Sequence, residues 1–308
     1  MKVIMQTKSL AIIIPAYKES FLAAALDSIA AQTCQDFTLY IGDDCSPYDL
    51  KSIVDRYRDK IHLVYKRFDT NMGGKDLVAQ WERCVDMNQG ENWIWLFSDD
   101  DVMESRCVEE FYQTVKAHPE AGLVHFNLLK LENSTGKLYD LPKFPEYCPA
   151  KRYLDEKVRG HFISMVVEFV TRRDVYEKTG GFQNFDMAWG SDFCSWVKFS
   201  HAAGGIWTCP SAKVHWRESG ENISPDTSNK TVYRKMNSVI KDVKWLTDFT
   251  RHQGYGNTWF YGKYAIGEIR RNKKQLTKTQ YNELVKTYEL VNGWPLIFRW
   301  LTKIVFYI

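Results

Sequence analysis

A doubly wound, mostly parallel α/β sheet is the fold class this sequence predicts, on three observations. Four five-residue runs, largely apolar (Leu10–Ile14, Phe37–Ile41, Ile61–Tyr65 and Trp93–Phe97), alternate with segments of helical apolar spacing. The first, Leu10–Ile14, is continuous rather than alternating, as in a strand buried on both faces of a parallel sheet. Polar clusters follow the runs directly: Tyr17–Glu19, Asp43-Asp44 and Asp99–Asp101. Open sheets of this kind take ligands beyond the carboxyl ends of their strands, so these clusters mark the expected site.

The elements follow in order. The first run is β-branched, and Pro15 is expected to stop it. Phe21, Leu22, Ala25, Leu26 and Ile29 predict a helix with one apolar face. Phe37–Ile41 is ended by Gly42-Asp43-Asp44, and Ile53, Val54 and Tyr57 suggest the next helix. After the third run, Asn71-Met72-Gly73-Gly74 precedes a helix expected over about 76–87. The fourth run leads into Ser98-Asp99-Asp100-Asp101, then a helix over about 105–117 and a strand at 122–129. Pro142, Pro145 and Pro149 make 130–160 read as a hairpin or mobile loop, and 161–170 reads as a strand or buried helix. Gly180-Gly181-Phe182 marks a turn, 191–201 should be helical, and helices dominate from Thr231 onward.

With 308 residues, 44% hydrophobic content and 41 basic against 38 acidic side chains, the chain has material for an ordinary core. A disordered tail, a collagen-like repeat and a multi-span membrane protein are excluded. Residues 228–308 hold 15 Lys/Arg against 5 Asp/Glu, which leaves 1–227 net acidic. The acidic body argues against a nucleic-acid partner, and the basic tail suits an anionic surface. Seven scattered cysteines without a CxxC pair argue against disulfides or a zinc knuckle and for a reducing cytoplasm. The N-terminus shows no secretory pattern, and no stretch reaches the roughly 18 apolar residues of a spanning helix.

Three consecutive aspartates at a strand exit repel one another unless a cation balances them. Hard divalent ions take a few carboxylates plus phosphate oxygens, which makes Mg²⁺ or Mn²⁺ the expected occupant. A helix cap accounts for one or two of these aspartates, not for three.

AIIIPAYKES, LDSIAAQT, YIGDDCSP, NMGG, FSDDD, GGF and GSDFCSWVK occur in this order over about residues 9–220. Together they resemble the inverting family 2 glycosyltransferases of GT-A fold, a Rossmann-like sheet. The resemblance implies that Pro15 and Tyr17, with Glu19 on the same loop, hold the nucleotide base, and that Asp44 accepts a hydrogen bond from it. It implies that Lys75 approaches the diphosphate, that Asp99 faces the ribose, and that Asp100, with Asp101 close by, holds the metal. Lys18 stands where the family pattern has Asn, Phe97 where it has Asp, and Ser191 where it has an acidic residue. Read from the residues alone, Tyr17 could equally pack on the sheet edge, Asp43-Asp44 is ordinary turn chemistry, and Lys75 is a solvated lysine.

Asp192, six residues before Lys198, matches the family's base, which takes the acceptor hydroxyl's proton. It also suits a helix start, and both roles are compatible. His215 lies where some GT-A enzymes place a histidine beside the metal, Arg217 is a candidate phosphate contact, and Trp189 is a sugar platform or a core aromatic.

Residues 1–225 are thus expected to form the catalytic domain, with nucleotide binding in about 1–103 and acceptor binding in about 104–225. Residues 226–308 form a helical, basic extension. Its last segment, Trp294–Ile308, carries Trp, Phe and Tyr with Arg299 and Lys303, and reads as an interfacial helix or as a segment docked on protein. The expected function is metal-dependent, inverting transfer of a sugar from a UDP-sugar to a glycan or lipid-linked oligosaccharide in surface polysaccharide synthesis. The expected location is the cytoplasm, peripheral on the inner face of the membrane. The competing readings are a nucleotide-sugar-binding scaffold with a decayed site and a sugar nucleotidyltransferase, which lacks its glycine-rich loop here.

Overall fold

The computed structural model describes residues 9–221, 226–256 and 259–291. The segment Trp294–Ile308, read as an interfacial helix, lies outside the described residues. The chain divides into two compact units, Met1–Phe182 with Ser195–Glu221, and Gln183–Cys194 with Asn222–Ile308.

The first unit is built on a ten-stranded sheet. Its parallel half is β1 (Leu10–Ala16), β2 (Phe37–Asp43), β3 (Leu63–Arg67) and β4 (Trp93–Leu96), in the spatial order β3-β2-β1-β4. Helices α1 (Leu22–Ala30), α2 (Leu50–Asp55) and α3 (Leu77–Val85) connect them. The helices follow the sequence pattern: α1 buries Leu22, Ala25, Leu26 and Ile29, and Asp76 caps α3 by accepting from the Ala79 N–H at 2.9 Å.

Pro15 does not end β1, which runs on to Ala16. Pairing with β4 finishes at Ile13, so Pro15 faces only β2 and its missing donor interrupts no ladder on the β4 side. At the exit of β2, a Cβ on Gly42 would collide with Cys84 Sγ. Only glycine lets α3 approach the strand there.

Beyond β4 the sheet continues with β5 (Val102–Met103), α4 (Cys107–Ala117), β6 (Leu123–Glu132), β7 (Leu138–Asp140) and β8 (Tyr147–Cys148). Then come α5 (Ala150–Val158), β9 (Phe169–Arg172), α6 (Arg173–Lys178), α7 (Ser191–Ala202) and β10 (Ile206–Glu218). β9 is antiparallel to both β4 and β6, β10 lies parallel to β6, and β5 pairs antiparallel with β10. Trp95 stacks on Phe126 with centroids 4.9 Å apart, and its indole N–H donates to the Val167 carbonyl at 2.7 Å.

The segment read as a hairpin or loop also contains helix α5. Pro149 precedes it, and Ala150, Tyr153 and Leu154 supply a short buried face in a charged stretch. In the segment read as a strand or buried helix, only Phe169–Arg172 is regular. Phe162 and Val167 there are buried as irregular backbone against the core. The long strand β10 had no counterpart in the sequence reading.

The second unit is helical: α8 (Asn229–His252), α9 (Trp259–Arg271) and α10 (Lys278–Val291). α8 packs against both α9 and α10. Arg234 on α8 grips Asp186 through two bonds, of 2.9 and 2.6 Å, and the Ser238 hydroxyl donates to the Asp186 carbonyl at 2.9 Å. Among the described residues no helix is long and apolar enough to cross a membrane.

Candidate active site

The carboxyl ends of β1, β2 and β4 bring three sequence-distant clusters together. Buried Asp99 accepts the backbone N–H groups of Tyr17 and Lys18 through one carboxylate oxygen, both at 2.8 Å. The Ser46 hydroxyl donates to the Tyr17 carbonyl at 2.6 Å, and the Asp44 N–H to the Ala16 carbonyl at 2.9 Å. The loop after β1 is thereby clamped from both neighbouring strand ends. Its Tyr17 remains 42% exposed, and Tyr48, tied in through the Ser46 hydroxyl, is 45% exposed. Pro15 is half-buried and Glu19 is exposed on the same loop.

Asp99, Asp100 and Asp101 are all buried. The Lys18 ammonium pairs with Asp100 and stands 3.6 Å from Asp99. Asp100 also accepts from the hydroxyls of Ser98 at 2.5 Å and Ser219 at 3.1 Å. Arg217 closes the other side: its backbone N–H donates to Asp101 and its Nε to the Asp100 carbonyl, each at 2.7 Å. Its guanidinium lies 4.6 Å from the Phe21 ring centre. Burial opposes the charge on Lys18, but Asp99, Asp100 and Asp101 outweigh it and hold the ammonium above the ordinary lysine value. Burial first, then the Asp100 charge, pushes the Asp101 carboxyl well above the carboxylate range.

Asp100 and Asp101 are hard oxygen donors, and both are buried at the strand exit. That donor set suits Mn²⁺ or Mg²⁺, which take one or two carboxylates and complete their shell from phosphate and water. Among the described residues no group of three His, Cys, Asp or Glu side chains comes together as a metal centre. His215 is not brought to the trio's hydrogen bonds; its Nε2 pairs with Glu104 at 3.3 Å.

Asp44 is held from several sides. Its carboxylate accepts the N–H groups of Met72 and Gly73, at 2.6 and 2.8 Å, the Asn71 amide at 3.1 Å and the Arg83 guanidinium. It is the anchor of the Asn71–Gly74 loop, which carries the exposed Lys75. Asp43 is likewise engaged, by Ser46 N–H, Tyr65 and Arg67. Arg83, Tyr48 and Lys18 are the residues the sequence reading missed or passed over. Lys18 had a signal, a cation replacing the family's Asn; Arg83 had none, since its partner lies 39 positions away.

Asp192 belongs to the second unit. It sits half-buried in the first turn of α7, after Gly190, whose φ of +84° lies in the left-handed region. A Cβ on Gly190 would strike the Asp242 carboxyl of α8. Asp242 is 1% exposed, and among the described residues its Oδ1 has no hydrogen-bond partner. Burial first, with the charge of Asp192 adding, holds the Asp242 carboxyl well above its usual range. Lys235 of α8 lies over the Trp189 ring at 4.5 Å from its centre.

A raised carboxyl in the folded state gives stability that is present below the unfolded value, about 4, and lost as pH rises through the folded value. Asp242→Asn removes that loss. The variant should match the wild type near pH 4 and become progressively more stable than it toward pH 8. Melting temperatures across that range check this, and a gap independent of pH would count against a neutral Asp242.

This sheet, with its acidic strand ends, is the frame of a GT-A glycosyltransferase. The chain belongs to glycosyl transferase family 2, whose family model matches residues 11–180. It is similar to poly(ribitol-phosphate) beta-N-acetylglucosaminyltransferase TarS of Staphylococcus aureus strains Mu50 and MW2, 27% identical over 151 residues in each. That match takes in 48% of this chain and spans a quarter (25%) of the relative's length. Among solved structures, S. aureus TarS 1–349 in complex with UDP-GlcNAc covers 97% of this chain and 89% of its own, with TM-score 0.63 and 16% identity. GalNAc-T7 with UDP, GalNAc and Mn²⁺ covers 95% and 59%, with TM-score 0.54 and 13% identity. At these identities the likeness is one of fold.

Proposed function

We propose that the chain is an inverting transferase that moves a sugar from a UDP-sugar to a hydroxyl of a surface polysaccharide or lipid-linked oligosaccharide. One observation carries the reading: Asp99 ties the Tyr17-Lys18 backbone beside Asp100 at the carboxyl edge of a parallel sheet, the crevice where such sheets take nucleotides. Tyr17 and Tyr48 offer exposed ring faces for a base, and Asp99 is assigned to the ribose. Lys75 and Arg217 are assigned to the phosphates. Asp44 acts by holding the Asn71–Gly74 loop in place. The UDP-GlcNAc of the TarS structure and the UDP and GalNAc of GalNAc-T7 support a uridine donor.

In the proposed reaction the Asp192 carboxylate accepts the proton of the acceptor hydroxyl as that oxygen bonds to the sugar C1. The bond from C1 to the diphosphate oxygen breaks on the opposite face, and the nucleoside diphosphate leaves with the electron pair. A Mn²⁺ or Mg²⁺ ion held by Asp100 and Asp101 would supply positive charge for that leaving group. Residues 1–225 are assigned the chemistry. The basic balance of 228–308, 15 against 5 charged side chains, suits an anionic acceptor.

The test is incubation with UDP-sugars, Mn²⁺ and a panel of glycan and polyol-phosphate acceptors. Release of UDP that depends on acceptor, with inverted anomeric configuration by NMR, is the expected result. Binding without release for every acceptor would make the chain a nucleotide-sugar-binding scaffold, and pyrophosphate release from a nucleoside triphosphate would make it a nucleotidyltransferase.

A further inference from the structure

Lys18 is paired with Asp100, the residue proposed above to hold a divalent ion. Its ammonium pairs with Oδ2 of Asp100, which also accepts from Ser219, while Oδ1 is taken by Ser98. The Lys18 backbone is fixed by Asp99, and its side chain keeps 25% exposure, against 3% for Asp100. The cation is thus pinned at its root and partly exposed, with a buried partner. An ammonium and a doubly charged ion on one carboxylate oxygen repel strongly, because burial leaves little water to screen them.

We propose that Lys18 and a divalent cation are mutually exclusive occupants of Asp100. Lys18 is the resident counter-ion of the acidic trio, and the divalent ion enters only by displacing it. The inference rests on the proposed donor site, whose diphosphate gives the displaced ammonium a second anionic partner. Without nucleotide the displaced ammonium keeps only Asp99, 3.6 Å away, so ion binding alone is weak. With nucleotide the penalty shrinks.

The experiment is Mn²⁺ binding to the full chain, read by the EPR signal of free Mn²⁺, with and without saturating UDP. Lys18→Met keeps the aliphatic stem and removes the charge. It should bind Mn²⁺ at least about tenfold more tightly than the wild type without UDP, and the difference should narrow with UDP. Lys18→Asn, smaller and polar, should behave alike, which separates lost charge from lost packing. Adding Asp100→Asn to either variant should abolish the gain. Equal Mn²⁺ affinity in wild type and both variants, or no binding in any of them, overturns the proposal. UDP binding is measured on matched samples both with Mn²⁺ and in EDTA. Its absence in the wild type would overturn the donor site itself, and its presence alongside Mn²⁺ affinities indifferent to Lys18 would overturn only the role given to Lys18.

Discussion

Asp192→Asn is expected to lower kcat for sugar transfer by about 10²- to 10⁴-fold while leaving UDP affinity unchanged, the range a general base contributes. The amide matches the carboxylate in shape but cannot take a proton at neutral pH. Asp192 stands in the first turn of α7, where either side chain can serve the helix start. The substitution should therefore leave the melting temperature nearly unchanged. Asp242 lies close by as a second carboxyl, but burial keeps it protonated well above the ordinary range, so it is poorly suited to take over as base. Steady-state kinetics paired with UDP titration check the split. A variant that keeps wild-type kcat removes Asp192 from the proton transfer.

Asp44→Ala should destabilise the nucleotide-binding half by about 3–5 kcal/mol, the cost of stripping one partner from a buried ion pair. The carboxylate is 3% exposed and receives two backbone N–H groups, an amide and the Arg83 guanidinium. Without it those donors lose their partner, and the Asn71–Gly74 loop loses its anchor. For a domain of this size the loss corresponds to a fall of roughly 10 °C in melting temperature. Asp44→Asn, which can accept through one oxygen only, should fall between the two. A calorimetric shift of under about 2 °C for the alanine variant would mean that other contacts hold the loop.

The parallel half of the sheet was legible because its signals are local. Leu10–Ile14 and Trp93–Phe97 are continuous apolar runs, and the α1 face is written in the spacing of Leu22, Ala25, Leu26 and Ile29. Helix α5 was hidden by neighbouring prolines, and its buried face amounts to Ala150, Tyr153 and Leu154. β10 was hidden because polar and apolar residues mix along it, with a register shift between Thr208 and Lys213. At the site, the acidic trio and the loop after β1 could be found, because chemistry clusters at strand ends. What each carboxylate bonds could not. Lys18 meets Asp100 across 82 positions, Arg217 meets Asp101 across 116, and Asp44 is consumed by donors from a loop and helix beyond β3. Such pairings depend on three-dimensional register, which no local pattern carries.

Equilibrium binding of UDP to the full chain, compared between wild type and Asp99→Asn by calorimetry, tests the nucleotide site most directly. Saturable binding in the wild type, weakened at least about tenfold in the variant, is the predicted result. UDP that fails to bind, or binds both proteins equally, would contradict the placement of the donor at the carboxyl ends of β1 and β4.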